Sequence, residues 1–326
     1  MKEYDALNDH EKRNMLASVA NLYYNAEMTQ NQIAERFFTS RSKISRMLKE
    51  ARRLGIVEIT IKEPWERNAE MERKFMDEFL LRDIRIIPIK ETTGTLILQK
   101  LGEVAAYYLD NLLDEHTILG MSWGNTMYHT VKAVKTSKNI PITVVPIMGA
   151  ANVRKPERDS LDLSKELAYA YGGSYHYIYA PLFVNSVEVR KSLEEEPNIK
   201  QCLDLAKAAD IILTSVGSIE YKSWKHYLST TDMHNLEKKG AVGHIGGHFY
   251  DREGNEVKTP FVDKMIGLGI KDIKNTKNVI CVAGLEMKAE AILGAIRGGY
   301  IKTLITDESA AKKILQIHAQ DKGLRK

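Results

Sequence analysis

Residues 28–54 read MTQNQIAERFFTSRSKISRMLKEARRL and divide into two short helices with a tight turn between them. Ile33, Ala34 and Phe37 recur at helical spacing in the first. Ala34 is small, as the close crossing of a second helix requires. Beyond Phe38 and Thr39, Ser40 is placed to cap the second helix by accepting a free backbone N–H. Ile44, Met47, Leu48 and Ala51 then share one face, and Arg41, Ser42, Lys43, Ser45, Arg46 and Lys49 lie off it. Between Arg36 and Arg53 the charged residues are Arg36, Arg41, Lys43, Arg46, Lys49, Arg52 and Arg53 against Glu50 alone. This is the pattern of a helix-turn-helix with an electropositive recognition helix, whose first residues meet base edges while flanking cations meet phosphates. Thr29 and Gln30, which open the first helix, join Arg41, Ser42, Lys43, Ser45, Arg46 and Lys49 as the expected DNA face. A solvated basic helix pair would account for the charge, but not for Ala34, the short turn, the serine cap and Ile44 together. Such turns usually carry Gly where Phe38 stands, because the backbone there takes positive φ. Phe38 therefore predicts a modified turn or an aromatic ring packed outward.

The chain has 326 residues, too many for a DNA-binding module alone. Hydrophobic residues make up 44% and charged residues 28%, with a net charge of +4. The basic residues concentrate in one helix while the rest is near balance. Cys202 and Cys281 are the only cysteines, too few for a disulfide framework and in keeping with a reducing compartment. No signal-like apolar run opens the chain, and no stretch approaches the ~18 apolar residues of a membrane span. The expectation is a soluble cytoplasmic protein with no membrane partner.

An amphipathic helix over 7–25, with Met15, Val19, Leu22 and Tyr23 at helical spacing, would brace the helix-turn-helix. Gly55 ends the recognition helix. Residues 56–62 alternate as a short strand or wing, and Glu63-Pro64 marks a boundary. The expected division is a DNA-binding domain over 1–64 and an effector domain over 65–326. A linker helix over 65–82 packs on its own effector domain or pairs with its twin in a dimer. From Ile84 strands alternate with helices. Strands are expected at 84–89, 117–123, 142–147, 174–180, 211–216, 279–283 and 303–306. Helices are expected at 96–113, 125–134, 160–171, 188–193, 199–208 and 286–298, with a fraying terminal helix after Ala310. Continuous apolar runs such as Ile211-Ile212-Leu213 suit strands buried on both faces. The fold class is therefore α/β: a helical helix-turn-helix domain followed by a Rossmann-like parallel sheet covered by helices.

Ligands of open α/β sheets bind beyond the carboxyl ends of strands. Four such ends here are rich in small or polar residues. Gly124, Asn125 and Thr126 follow one strand and offer free N–H groups at a helix start. Gly149-Ala150-Ala151-Asn152 follows another, Gly217-Ser218 a third, and Ala283-Gly284-Leu285-Glu286-Met287-Lys288 a fourth, where Lys288 could supply a positive charge. Asp263 could hydrogen-bond hydroxyls, or be a solvent-facing loop acid. Together these predict a phosphate-bearing small molecule. His244 and His248 have metal-ligand spacing, but the glycines around them disfavour a helix there; no metal and no cofactor are expected. Asp251–Asn255, DREGN, reads as a hairpin turn.

Several stretches are shared with a known family: LYYNAEMTQNQIAERF, SRSKISRMLKEARRLGIVEITI, GMSWGNTMY, APLFV at 180–184, GAVGHIGGHFYDREGN and AGLEMKAEAILGAIRGGYIKTLITDE. On these, over nearly its whole length, the chain resembles the SorC family of bacterial sugar-responsive transcriptional regulators. The resemblance implies an effector domain related to phosphosugar isomerases. It implies a homodimer or homotetramer on a palindromic double-stranded DNA operator, and a sugar, polyol or sugar-phosphate effector. By position, Gly124, Asn125, Thr126, Gly149, Ala150, Gly217, Asp263, Glu286 and Lys288 would line the pocket. Met148 stands where one branch of the family has a lysine that captures its sugar covalently, so covalent capture is not expected. Ala150 and Leu285 replace family glycines. The alternative is a sugar-phosphate isomerase or deaminase with an appended DNA-binding domain. No acid–base constellation stands out in the spacing, and Asp263 and Glu286 have no identified partner.

Overall fold

The periodic stretch at the N-terminus folds as three helices. The structure, a computed structural model, describes residues 8–57, 65–90, 93–136, 138–151, 156–221, 224 and 227–324. Helix α1 (Asp9–Tyr24) opens with a capping box between Asn8 and Glu11. Helix α2 (Gln30–Arg36) opens with a second box, in which Thr29 Oγ1 accepts the Gln32 N–H and Gln32 Oε1 accepts the Thr29 N–H. Helix α3 (Arg41–Arg53) is capped by Ser40, whose hydroxyl accepts the Lys43 N–H at 3.2 Å. Leu16, Val19, Ile33, Ala34, Ile44, Met47, Leu48 and Ala51 bury together as the core of this unit. The chain divides by contact into Met1–Pro64 and Trp65–Lys326. Ile56 and Val57 form a bend, and the rest of the expected wing strand lies outside the described residues.

The first helix of the second unit begins later than its apolar spacing suggests. Helix α4 (Ala69–Glu78) starts after the Asn68 cap, four residues beyond Trp65. Its Glu72 carboxylate accepts the Ile86 N–H at 2.8 Å and pairs with Arg67 at 2.7 Å, while Phe75 is fully buried. This anchors α4 to the unit's own sheet.

The remaining elements follow in chain order: β1 (Asp83–Ile87), α5 (Gly94–Asp110), β2 (Ile118–Met121), α6 (Asn125–Ala133), β3 (Thr143–Pro146), α7 (Ser160–Tyr171), β4 (Ser174–Tyr175), α8 (Val187–Glu195), α9 (Pro197–Lys207), β5 (Ile211–Thr214), β6 (Val216–Ser218), α10 (Thr230–Lys238), β7 (Ala241–Ile245), β8 (His248–Asp251), α11 (Ile270–Asn275), β9 (Asn278–Val282), α12 (Ala289–Arg297), β10 (Thr303–Asp307) and α13 (Glu308–Leu324). Seven strands form one parallel sheet in the order β1-β10-β9-β5-β2-β3-β4. The chain runs outward from β2 through β3 to β4 on one side. On the other it runs from β5 through β9 to β10. The direction reverses between β2 and β5, which in an open sheet opens a crevice at the strands' carboxyl ends.

Helices α5 and α6 cross closely, because a Cβ on Gly102 would lie 2.7 Å from the His129 carbonyl carbon. The expected strand over 211–216 is two strands. After Thr214 the chain leaves the parallel sheet, and β6 joins β7 and β8 in a separate antiparallel sheet. The β7–β8 turn is Gly246-Gly247, with φ of 55° and 86°, as a two-residue hairpin turn of this hand requires. The strand expected to reach Ala180 stops at Tyr175.

The terminal helix does not simply fray. Ala310, Ala311, Ile314 and Ile317 are buried, and Asp321 pairs with Arg297 at 2.8 Å and Arg252 at 3.4 Å. No helix among the described residues is long and apolar enough to cross a membrane.

Candidate functional site

In the N-terminal unit, α3 buries one face and leaves its cations outside. Arg41, Ser42, Arg46, Lys49, Arg52 and Arg53 are exposed, and Lys43 and Ser45 are half-buried. Ser42 Oγ lies 2.9 Å from Ser40 Oγ. Arg52 donates to the Tyr24 hydroxyl at 2.6 and 2.9 Å, which fixes α3 against α1. Thr29 is committed to its cap, and Gln30 is half-buried beside it. Phe38 has φ 50° and is 91% exposed. Its N–H donates to Glu35 O and the Thr39 N–H to Ala34 O, the two bonds of a Schellman motif. Phe38 thus occupies the left-handed position that glycine ordinarily takes, and its ring points outward.

In the second unit, the end of β2 leads into α6 through Gly124, whose φ of 120° suits glycine. A Cβ there would meet nothing within 4 Å, so the space over the helix start is open. No side chain caps α6. Its first N–H groups are therefore available to an anion, which the helix dipole also favours. Asn125 is exposed and Thr126 buried; Ser215 Oγ, at the end of β5, lies 3.5 Å from Thr126 Oγ1. These residues sit where the sheet reverses direction.

Arg158 completes this corner and was not singled out from the sequence. Its guanidinium donates to Asn125 Oδ1 and stands 5.2 Å from the Tyr128 ring centre. Its carbonyl accepts the Gly124 N–H at 3.2 Å. Residue 158 belongs to no strand end and lies 33 positions along the chain from Asn125, so no local pattern marks it.

The other expected residues divide. Lys288 is half-buried and donates from Nζ to Val216 O at 3.1 Å. Burial pulls its pKa below the ordinary lysine value, and the Cys281 thiol opposes this. Gly217 pairs with His244 across β6 and β7, and a Cβ on it would fall 2.0 Å from His244 Nε2. Gly217 therefore makes room for an imidazole and is not a free turn. Burial, with the Lys288 charge adding to it, lowers the His244 pKa to about 3.

Gly149 and Ala150 do not offer their N–H groups: these donate to Ile266 O at 3.0 Å and Ala180 O at 2.9 Å. A Cβ on Gly149 would lie 2.6 Å from Pro181 O, so close packing requires the glycine. Asn152 lies outside the described residues. Asp263 is exposed, and Glu286 is exposed and 3.8 Å from Lys313. Leu285 has φ 78° and donates its N–H to buried Asp307 at 2.6 Å. His248, on β8, bonds to Leu268 O at 2.9 Å. Among the described residues no group of His, Cys, Asp and Glu is arranged to hold a metal ion. Several buried polar atoms have no partner among them: Ser122 Oγ, Arg158 Nε, Trp224 Nε1 and His244 Nε2.

The sugar-binding domain family model, Sugar-bind, matches residues 63–316. The chain belongs to this family. Similar proteins extend over both units. A deoxyribonucleoside regulator of Bacillus subtilis is 27% identical over 311 residues, covering 94% of this chain and 99% of that protein. The transcriptional regulator LsrR of Escherichia coli is 29% identical over 308 residues, covering 92% and 94%. The full-length sorbitol operon regulator SorC from Klebsiella pneumoniae has a similar structure, with a TM-score of 0.73, 25% identity, and coverage of 95% and 99%. The SorC resemblance read from the motifs therefore holds across the helix-turn-helix unit and the parallel sheet alike.

Proposed function

We propose that this protein is a sugar-responsive, DNA-binding transcriptional regulator of a carbohydrate-use operon, acting as a homodimer or homotetramer on a palindromic operator in the cytoplasm. The observation that carries the reading is that one chain joins a cation-faced recognition helix to a family sugar-binding domain. In this reading Arg41, Ser42, Lys43, Ser45, Arg46 and Lys49 meet the operator, with Gln30 and the capped Thr29 near the phosphate backbone. Domain 1–64 binds DNA and 65–326 binds the effector.

The effector reading centres on the α6 N-terminus. Open space over Gly124, uncapped N–H groups and the Arg158 guanidinium favour a phosphate or similar anionic group. Lys288 supplies a second charge, and the unpartnered Ser122 and His244 atoms suit hydroxyls. Gly149, Ala150 and Gly217 shape the walls by what they lack. Asp263 and Glu286, the acids singled out from the sequence, are both exposed, which favours sensing over turnover. The effector acts by binding one arrangement of the assembled protein better than another, which shifts the spacing of paired recognition helices.

A thermal-shift screen against sugars, polyols and their phosphates tests this. A phosphorylated compound that raises the melting temperature in a concentration-dependent way, and weakens operator binding or tightens it, supports the reading. Stabilisation by unphosphorylated sugars alone removes the phosphate assignment. Turnover of a sugar phosphate favours the enzyme.

A further inference from the structure

The far edge of the parallel sheet carries an exposed aromatic surface outside the sites described above. Strand β4 is the last strand, and the N–H groups of Ser174 and His176 donate inward to Ile142 O and Val144 O, each at 2.9 Å. The alternation of a ladder then turns the Tyr175 N–H toward the open side. From there every second side chain is a tyrosine. Tyr175 and Tyr177 have ring centres 5.0 Å apart, and Tyr177 and Tyr179 5.7 Å apart. Tyr169, from α7, extends the row at 5.5 Å from Tyr175, its hydroxyl 3.4 Å from that of Tyr175. Tyr169 is 61% exposed and Tyr179 75%. Ile178, on the opposite side of the segment, is buried, so the ladder is held on a fixed backbone.

We propose that this tyrosine ladder is the surface by which two copies of the chain meet. A two-fold interface places the same patch on both sides, so the patch must complement itself. Phenol rings do so: they are uncharged, and each hydroxyl both donates and accepts. An open strand edge is self-complementary in the same sense. Tyrosine is also among the residues that concentrate binding energy at protein interfaces. A nucleic acid would call for cations, yet among the described residues only Lys165, 5.7 Å from the Tyr169 ring, stands over the row. The ladder leads directly into Ala180, whose carbonyl takes the Ala150 N–H in the loop that follows β3. Contact between copies is thereby continuous with the loop that would sense the sugar. The inference rests on the reading of an assembled regulator and names the surface of assembly.

The test uses the full chain. Mass is measured by light scattering after size exclusion for the wild type and for Tyr169→Glu/Tyr179→Glu, both exposed positions. Like charges facing each other across a two-fold should weaken self-association on the order of 30-fold, a hot-spot-sized effect, and halve the mass at micromolar concentration. Tyr179→Cys provides a second readout, because the native Cys202 and Cys281 are buried. It should form a chain-to-chain disulfide under mild oxidation. Unchanged mass together with no cross-link overturns the proposal, as does a monomeric wild type. Loss of sugar-phosphate stabilisation with the mass intact would make the ladder a carbohydrate platform, and also overturns it. Operator and sugar binding measured on the same variants separate this failure from failure of the regulator reading.

Discussion

The molecule carries positive charge in two different ways. On α3, Arg41, Arg46, Lys49 and Arg53 come from successive turns of one helix and stand in solvent. At the end of the sheet, Arg158 and Lys288 come from segments far apart in the chain, are half-buried, and are already engaged, one by Asn125 and the other by the Val216 carbonyl. The difference suits what each is proposed to hold. A DNA backbone is a long array of exposed phosphates, so a local row of solvated charge suffices. A small effector must be surrounded, and surrounding it takes residues that only the tertiary fold assembles. Burial makes those charges costly without the ligand, and so responsive to it.

The largest effect that would sharpen this contrast is on the exposed side. Arg46→Ala should lower operator affinity by about 5- to 150-fold, the range of about 1–3 kcal/mol for a base-reading arginine. Sugar-dependent stabilisation should be unchanged. Fluorescence anisotropy with an operator duplex measures it, and unaltered affinity would remove Arg46 from the DNA face. On the buried side, Lys288→Met should weaken a phosphorylated effector about tenfold or more, as loss of a charge-assisted hydrogen bond does, with operator affinity intact. The pH dependence has opposite signs for the two states. Folding depresses the Lys288 pKa, so between that depressed value and the ordinary lysine value the unfolded chain binds more protons than the folded one. The ligand-free protein therefore gains stability from this group as pH rises through that window. Affinity for an anionic effector falls over the same window, as the ammonium is lost. Equal slopes in Lys288→Met would break the contrast.

What the sequence revealed follows the same division. The helix-turn-helix was legible because its signals are local: the Ser40 cap, Ala34 at the crossing, and an apolar stripe at helical period. The parallel strands were legible from their continuous apolar runs. The antiparallel sheet was not, because β6 follows β5 after a single residue and its partners lie more than twenty residues later, among glycines that carry no periodic pattern. Arg158 was missed because its role depends on a tertiary approach to Asn125. Gly149 and Ala150 resembled a ligand loop because glycine serves close backbone packing as readily as ligand approach, and spacing alone does not separate the two.

A smaller effect tests how the buried side tolerates its charge. Beside Lys288, His244 is held neutral, with burial first and the Lys288 charge second bringing its pKa to about 3. Its unfolded value lies near 6.5. Between these the unfolded chain binds the proton and the folded protein does not, so this contribution is complete above about pH 6.5 and is lost as pH falls toward 3. His244→Asn should flatten the fall in melting temperature between pH 6.5 and 4. An acid limb as steep as the wild type's would mean that another group sets it.

The smallest effect lies within the N-terminal unit, at two helix ends that share one geometry. Helix α2 closes through Phe38, and α3 closes through Gly55, whose N–H and that of Ile56 donate to Arg52 O and Ala51 O as those of Phe38 and Thr39 do to Glu35 O and Ala34 O. Both residues are left-handed, at φ 50° and 66°. For a side-chain-bearing residue that conformation costs about 1–2 kcal/mol. A glycine avoids the cost but brings about 0.4–1 kcal/mol of extra unfolded-chain entropy. Because Phe38 is almost fully exposed, its ring returns little burial to offset the strain. Phe38→Gly should therefore stabilise the unit by up to about 1 kcal/mol, and Gly55→Ala should destabilise it by a similar amount. Denaturation of the variants, followed by helix content, measures both. Destabilisation by Phe38→Gly would show that the exposed ring packs on something that its solvent exposure conceals.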